Sequence, residues 1–376
     1  MRKRSSFRFR ISAVLLVFFA TVFLLPAYRD GNPKLYLLAV AVPAAMLLLM
    51  LLPARAFSID RPSISAALSL CGFGLIAAMA ANPDEAVSQG FRSVAALFFL
   101  ASGIVLVRAF RPSVLAAALP AFCGFGMISC FLWFPDLSVS LAEGGMALLL
   151  FSLSAFVAMR LRLPALVIVL GGTLLLLLQR DYGNAAVCGI TCVLVFWAAS
   201  GSALWSGILL CCTGGLFGVF FGFSGLPAES TVSSMLPRIA AMPLIPPESV
   251  PEEHVVSSPD SLFFLLGERY GIVFLFCAVM LVILILVHGS SLAQHTRKTL
   301  HASLALGVVL LIGLRLLLFL AVSAGLIPLL PGSFPFLTSS LPDLFTHFFL
   351  LGLLSGISSR NETDLDEDAR LAMLAR

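Results

Sequence analysis

The chain has 376 residues, of which 60% are hydrophobic and only 11% are charged, and its formal net charge is +4. A soluble domain of this length cannot keep such a composition in water, because too few polar side chains are available to cover its surface. The composition therefore excludes ordinary soluble enzymes and binding modules. No basic surface with interleaved aromatic residues is apparent, so we expect no nucleic acid among the partners.

Twelve apolar blocks of spanning length follow one another along the chain. A helix that crosses the hydrocarbon core needs about 20 residues, and the blocks lack the two-residue alternation of an outer-membrane barrel. Because backbone polar groups in lipid need internal partners, each block predicts a helix. The blocks cover residues 11–27, 35–52, 64–81, 93–109, 113–134, 145–159, 163–178, 184–200, 204–223, 271–288, 300–324 and 342–357. The sequence thus predicts an all-α, polytopic integral membrane bundle of about 12 transmembrane helices.

The distribution of Lys and Arg predicts the orientation of this bundle, since these residues accumulate on the cytoplasmic side. With the N-terminus inside, 16 basic residues fall in cytoplasmic segments and six in external ones, while Arg315 falls within a span. The first apolar run ends without a small-x-small cleavage site, which favours an uncleaved first helix. We therefore predict a multi-pass membrane protein with both termini in the cytoplasm.

The longest stretch that is not apolar, residues 224–270, is predicted to be an external loop. Asp260 and Glu268 flank an apolar segment near its end, and their spacing places both carboxylates on one face of a helix. Asp260 also stands in the position of an N-cap for a helix that begins at Ser261. The other carboxylates of the loop are interpreted as solvated: Glu248, Glu252 and Glu253.

Arg315 is the clearest charged residue inside a predicted span. A charge at membrane depth is costly, so it faces a cavity or finds a partner. Two interpretations remain open: a cavity in which Arg315 binds an anionic group, or an ion pair with a buried carboxylate such as Glu143. Asp343 and His347 begin the last span and are further polar residues at the membrane boundary.

Four motifs in the predicted external segments carry a family resemblance. Residues 179–183 (QRDYG) resemble a Gln-Pro-Asp-Leu-Gly motif, and 140–143 (SLAE) resemble Gln-Pro-Ser-Glu. Asp260, Glu268 and Gly271 reproduce the spacing of an Asp, a Glu and a Gly in a large external loop. The stretch 325–338, rich in Pro and Gly, resembles a fourth motif. In order and spacing the motifs resemble the SEDS family of shape, elongation, division and sporulation proteins, which includes FtsW, RodA and SpoVE.

The resemblance covers roughly residues 60–358 and implies a core of ten spans. It divides the chain into a basic N-terminus with an extra transmembrane hairpin at 1–55, a SEDS-like membrane core at 56–358, and an acidic cytoplasmic tail at 359–376. The core contains the large external loop 224–270.

Members of this family polymerise lipid II, a disaccharide peptide linked to undecaprenyl pyrophosphate, at the outer face of the bacterial cytoplasmic (inner) membrane. The resemblance therefore implies a peptidoglycan glycosyltransferase that serves cell elongation, shape or division, together with a class B penicillin-binding protein as partner. Asp260 matches the essential loop aspartate of the family, and its implied role is that of the catalytic base. The implied substrate-binding or cavity residues are Glu143, Gln179, Arg180, Asp181, Glu268, Arg269, Arg315 and Pro335.

The pyrophosphate leaving group develops negative charge, which a cation would stabilise. Candidate side chains are Arg180, Arg238, Arg269 and Arg315. The sequence contains no recognisable metal-ligand motif and requires no cofactor. A divalent cation, Mg²⁺ or Mn²⁺, is the only cofactor that the chemistry suggests.

Three departures from the family pattern favour alternatives. Arg180 replaces a Pro, Ser258 and Pro259 replace a His-Thr pair, and residues 339–342 replace Tyr-Gly-Gly-Ser. A non-catalytic SEDS homologue that acts as scaffold for a transpeptidase would tolerate these changes. A lipid or solute transporter is suggested by the twelve spans and Arg315, but no internal repeat supports it.

Overall fold

The computed structural model describes residues 61–81, 83–130, 138–224, 261–327 and 332–374, together with the isolated residues 24, 36, 37, 40, 41, 44, 242 and 244. Within these ranges every regular element is a helix, which confirms the all-α prediction. In chain order the helices are α1 (Arg61–Ala81), α2 (Pro83–Ala109), α3 (Val114–Ser129), α4 (Ser138–Ala158), α5 (Arg162–Leu178), α6 (Tyr182–Ser200), α7 (Ala203–Ser224), α8 (Ser261–Tyr270), α9 (Ile272–His295), α10 (Thr299–Ser323) and α11 (Leu341–Leu374).

Ten of these described helices coincide with the last ten predicted apolar blocks. Eight are long and apolar enough to cross a membrane, and α3 and α5 are shorter apolar helices. Helix α8 has ten residues and is too short to span. The prediction of a polytopic membrane protein is confirmed, whereas the predicted hairpin at 11–27 and 35–52 lies outside the described ranges.

The connections between successive helices place the α5–α6 turn and the α10–α11 connection at one end of the bundle. The charge bias predicts that this end faces outside the cell, and we call it the outer end. There Arg92, near the start of α2, donates a hydrogen bond to the carbonyl oxygen of Ser339 (2.8 Å). At the opposite, inner end Arg360 donates to the carbonyl oxygen of Arg108 (2.7 Å). Helix α2 is thus tied to the residues just before α11 at the outer end and to α11 itself at the inner end.

Between these ends, α2 and α11 pack with their backbones in contact. A Cβ atom added at Gly352 would lie 2.3 Å from the carbonyl oxygen of Leu100, and one at Gly103 would lie 2.5 Å from that of Phe349. Gly356, one turn beyond Gly352, meets α2 in the same way. Small residues at four-residue spacing allow this close approach, which is a common way of packing helices in lipid.

The last helix is longer than the predicted block 342–357, because α11 continues to Leu374. The helical backbone therefore includes most of the acidic tail. Once a helix has formed within the membrane, each further residue adds a hydrogen bond at little cost. The sequence NETDLDEDARLAML contains no Gly or Pro that would end it.

Candidate functional site

Polar side chains from four helices meet below the outer end of the bundle. We define the outer polar cluster as Glu143 of α4, Asp181 and Asn184 at the start of α6, Arg315 of α10 and Asp343 of α11. Only 4% of Glu143, 3% of Arg315 and 7% of Asp343 are exposed. Elements that are far apart in sequence therefore bring both carboxylates and the guanidinium into the protein interior.

Arg315 is the cation of this cluster. It forms an ion pair with Glu143 and donates a hydrogen bond to Oδ1 of Asn184 (2.5 Å). Asp343 also lies close enough to Arg315 for an electrostatic attraction. Of the two interpretations of Arg315, the ion pair with Glu143 is confirmed. Its charge is neutralised inside the bundle, as a charge at membrane depth requires.

The turn between α5 and α6 explains how Asn184 reaches Arg315. Asp181 is the N-cap of α6 and accepts hydrogen bonds from the backbone N–H of Asn184 (3.1 Å) and from its side-chain Nδ2 (2.7 Å). These two bonds orient the Asn184 amide, so that its oxygen is free to accept from the guanidinium. Asp181 thus acts on Arg315 through Asn184.

Arg180 occupies a special backbone position in the same turn. Its φ is 60°, in the left-handed region that ends many helices, and its exposed side chain points away from the core. Proline, which the family carries here, cannot adopt positive φ, so this chain forms a turn from which Pro is excluded. The neighbouring Gln179 donates from its side chain to the carbonyl oxygen of Ile128, which ties the turn to α3.

Residues 332–340 form a non-helical segment that is buried in the outer part of the bundle; we call it the buried segment. Pro335 lies within it, and Phe334 and Phe336 are fully buried. Gln89 of α2 donates to the carbonyl oxygen of Thr338 (2.8 Å). Ser333 donates to Oε1 of Glu143 (3.4 Å), which joins the segment to the outer polar cluster. Irregular backbone is tolerated at membrane depth only with such cover from protein.

Helix α8 packs its first turn against this segment. The ring of Phe263 stacks on Phe334 with centroids 4.6 Å apart and meets Phe319 edge-on at 5.0 Å. Phe319 lies one turn after Arg315 on α10. Asp260 directly precedes α8 in sequence and lies outside the described residues, so its predicted role stays a prediction.

Glu268 and Arg269 lie in the last turn of α8 and are half-buried. Next to them, the hydroxyl of Tyr270 donates to the carbonyl oxygen of Ile76 on α1 (3.4 Å). Burial raises the pKa of Tyr270, and the nearby Arg269 guanidinium partly opposes this rise. Both ends of α8 are thus attached to the bundle. Arg238 lies outside the described residues.

Several residues of the site were not among the sequence candidates. Asn184 directly follows the QRDYG motif, and Ser333 lies in the Pro-rich stretch. Both could have been predicted as site residues because they lie next to or within a motif. A role for Gln89 was less apparent from the sequence. It is a polar residue in the part of α2 that lies near the outer end. Asp343 was recognised as a boundary residue, but the sequence offered no way to identify Arg315 as its neighbour.

A divalent cation, Mg²⁺ or Mn²⁺, was the only cofactor that the chemistry suggested. Among the described residues, no group of three or more His, Cys, Asp or Glu side chains could hold a metal ion. In the outer polar cluster the carboxylates lie beside Arg315. Its guanidinium would compete with a metal ion for the same carboxylate oxygens. The metal therefore stays a prediction without a ligand set.

Comparisons with known proteins identify the kind of molecule that this architecture belongs to. The sequence profile of the cell cycle protein family FtsW/RodA/SpoVE matches residues 248–363. This range contains Asp260, α8, Arg315 and the buried segment. No curated protein shows a significant match to the chain.

Three solved structures share the fold. One is a chain of a peptidoglycan synthase complex, studied for the structural coordination of polymerization and crosslinking, with a TM-score of 0.60 and 17% identity. Another is Thermus thermophilus rod shape determining protein RodA, with a TM-score of 0.57 and 18% identity. The third is an aspartate-to-alanine mutant of the same protein, with a TM-score of 0.57 and 19% identity. Each match covers 81% of this chain and 98% of the other.

The fold defines a polytopic helical membrane protein with the architecture of RodA. The profile match over residues 248–363 and this shared fold confirm the resemblance to the SEDS family that the motifs predicted.

Proposed function

We propose that this chain is a peptidoglycan glycosyltransferase that polymerises lipid II at the outer face of the cytoplasmic membrane. At a coarser level, the family match and the RodA-like fold support a role in cell wall synthesis. The observation that carries the finer proposal is the packing of α8 against the buried segment, both within the matched range. This packing joins the helix that follows Asp260 to the outer polar cluster.

In the proposed reaction the lipid-linked glycan chain is the donor and a sugar hydroxyl of lipid II is the acceptor. The hydroxyl oxygen attacks the anomeric carbon, and the bond from that carbon to the pyrophosphate oxygen breaks. The hydroxyl proton passes to the carboxylate of Asp260, which acts as general base. The pyrophosphate departs with the bonding electron pair, so charge and protons balance.

Stabilising the departing pyrophosphate needs a cation at the outer surface. Arg315 is an unsuitable candidate, because its charge is already bound by Glu143 inside the bundle. Arg180 is exposed in the α5–α6 turn, and Arg269 is half-buried at the end of α8. We assign leaving-group stabilisation to these two arginines, with Mg²⁺ or Mn²⁺ as the alternative source of positive charge.

The proposed partner is a class B penicillin-binding protein, a single-span transpeptidase that would cross-link the new strands. One structural neighbour is part of a peptidoglycan synthase complex that coordinates polymerization and crosslinking, which supports this choice. The proposed location is the bacterial inner membrane with both termini in the cytoplasm. In this orientation the buried segment and α8 face the side on which lipid-linked sugars are polymerised.

The test is glycan synthesis from lipid II by the purified protein in proteoliposomes, with and without its transpeptidase partner. We expect polymer with the wild type and the partner, and at least about a 100-fold lower rate with Asp260→Asn. The matched control is Glu253→Gln, which neutralises another carboxylate of the same loop and should keep the wild-type rate. If the wild type with its partner makes no polymer, the polymerase proposal fails. An active Asp260→Asn variant would refute only the assignment of the base.

The second candidate function is a non-catalytic scaffold for the transpeptidase. It is favoured by Ser258 and Pro259, which replace the His-Thr pair that the family carries before the loop aspartate. A scaffold would raise transpeptidase activity in the same proteoliposomes even when the chain carries Asp260→Asn.

A further inference from the structure

We propose that Glu143 and Asp343 form a proton-binding site inside the membrane, in which one proton is shared and resides on Asp343. The proposal concerns the ground state of the folded protein and does not depend on the glycosyltransferase assignment. It rests on the position of the two carboxyl groups around a single guanidinium.

The charges of the outer polar cluster do not balance if every group is ionised. Glu143 forms the ion pair with Arg315, and Asp343 lies within reach of both. Asp181 is a third carboxylate close enough to Glu143 to repel it. Two like charges that share one buried site cannot both remain ionised at low cost, because little water is present to screen them. Uptake of one proton by the Glu143–Asp343 pair leaves this pair and Arg315 together with no net charge.

The hydrogen bonds identify the group that carries the proton. Glu143 has two strong reasons to be the carboxylate: it pairs with Arg315 and accepts a hydrogen bond from Ser333 (3.4 Å). The carboxyl group of Asp343 lies within hydrogen-bonding reach of Glu143 and of Ser340. Among the described residues, no hydrogen-bond partner is found for its Oδ1. A protonated Asp343 that donates to Glu143 satisfies these contacts with one buried ion pair, and the three groups Arg315, Glu143 and Asp343 then carry no net charge.

His347 lies one helical turn from Asp343 and is only 1% exposed. Its ring lies near the backbone carbonyl of Asp343, yet neither ring nitrogen has a hydrogen bond of good geometry to a described residue. A charged imidazole here would add a second buried cation beside Arg315, so we assign the neutral form. Four charged or titratable groups therefore surround the shared proton: Glu143 from α4, Asp181 at the N-cap of α6, Arg315 from α10 and His347 from α11.

The shared proton links the outer polar cluster to the buried segment. Ser333 contacts Glu143, and Ser340 contacts Asp343, so the segment is attached to the carboxyl pair near both of its ends. Loss of the proton would place two negative charges against each other beneath these contacts. We therefore expect the buried segment to hold its position only while the pair keeps its proton.

The direct test is infrared spectroscopy of the full-length protein in lipid at neutral pH. A protonated carboxyl group has its own C=O band, which shifts when H₂O is exchanged for D₂O. We expect this band in the wild type, its loss in Asp343→Asn, and its retention in the control Asp181→Asn. Absence of the band in the wild type would overturn the proposal, and so would an unchanged band in Asp343→Asn.

A second measurement keeps the proposal testable if the first variant folds poorly. In Glu143→Gln the arginine retains Asp343 as its counterion, which then gives up its proton, so the band should disappear although Asp343 is still present. Persistence of the band in this variant would contradict the shared proton. Each single variant keeps one counterion for Arg315, whereas the double variant Glu143→Gln/Asp343→Asn keeps neither. We therefore expect the fall in Tm of the double variant to be much larger than the sum of the falls in the two single variants. Additive effects would also contradict the proposal.

Discussion

The two halves of α11 are held in place by different interactions. In its outer turns Asp343 belongs to a cluster of directional polar contacts with α4, α6 and α10. Towards the inner end Gly352 and Gly356 bring the backbone of α11 against that of α2, and Arg360 donates to the carbonyl oxygen of Arg108. This contact depends on small residues and needs no irregular backbone, because a helix in lipid satisfies its own backbone polar groups. The outer half carries buried charges and irregular backbone, which cost stability and therefore mark the region with a function.

The largest expected effect comes from removing the cation of the outer half. Arg315→Met would leave the buried carboxylate of Glu143 without its counterion, and breaking a buried ion pair in this way costs about 3–5 kcal/mol. Thermal unfolding in detergent, followed by circular dichroism, should show a large fall in Tm or a protein that cannot be purified. Arg180→Met is the matched control, since Arg180 is exposed and should leave Tm unchanged. Equal Tm values for the two variants would contradict the buried ion pair.

The inner half should respond to added volume rather than to lost charge. In Gly352→Ala the new Cβ would meet the carbonyl oxygen of Leu100 at 2.3 Å, so the two helices must separate. Overpacking of this kind costs about 1–3 kcal/mol. The control is Gly218→Ala on α7, where the added atom meets nothing within 4 Å. A Gly352→Ala protein as stable as the control would show that α2 and α11 do not touch through their backbones.

A smaller effect is expected when one contact of the buried segment is removed. Gln89→Leu leaves the carbonyl oxygen of Thr338 without its side-chain donor, which costs about 1–2 kcal/mol for a buried polar group. Hydrogen exchange should become faster in residues 332–340 and remain unchanged in the inner part of α11. Uniformly faster exchange along α11 would mean that the outer and inner halves are not separate units.

The smallest effect is expected at the cap of α6. Asp181→Ala removes the acceptor for the Asn184 backbone and amide, at a cost of about 1 kcal/mol. Asp181→Asn can still cap the helix and should restore most of the lost stability. The Tm values of the two variants test this prediction. If Asp181→Asn is destabilised as much as Asp181→Ala, the charge of Asp181 rather than its capping hydrogen bond stabilises the start of α6.

The fold was largely predictable because lipid restricts the chain to apolar helices of limited length. Ten described helices match the predicted blocks. Burial of residues 332–340 in the bundle was harder to foresee, since a Pro-rich connection has the same pattern at the surface. The extension of α11 to Leu374 was missed because charged residues end an apolar block without ending a helix.

The site was predictable only in part, for a physical reason. Arg315 and Glu143 were found because a buried charge needs a partner, and few carboxylates lie at membrane depth. Asn184 completes the cluster through a contact with Arg315, which is 131 residues away in the chain. Asp343 joins it through contacts with Arg315 and Glu143 on two other helices, and no local pattern encodes either set of contacts. The match of Asp260 to the family aspartate rests on spacing alone, and its prediction is untested.

The central claim is that the outer half of the bundle carries the chemistry, whereas the inner contact between α2 and α11 only holds the two helices together. Its most direct test is the rate of glycan synthesis from lipid II, with the transpeptidase partner, for Gln89→Leu and Gly356→Ala at a temperature at which both are fully folded. Gln89→Leu loosens the buried segment, whereas Gly356→Ala strains the contact with α2 near Ile104. We predict a lower rate for Gln89→Leu and the wild-type rate for Gly356→Ala. Wild-type rates for both variants, or an equal loss in both, would contradict the account.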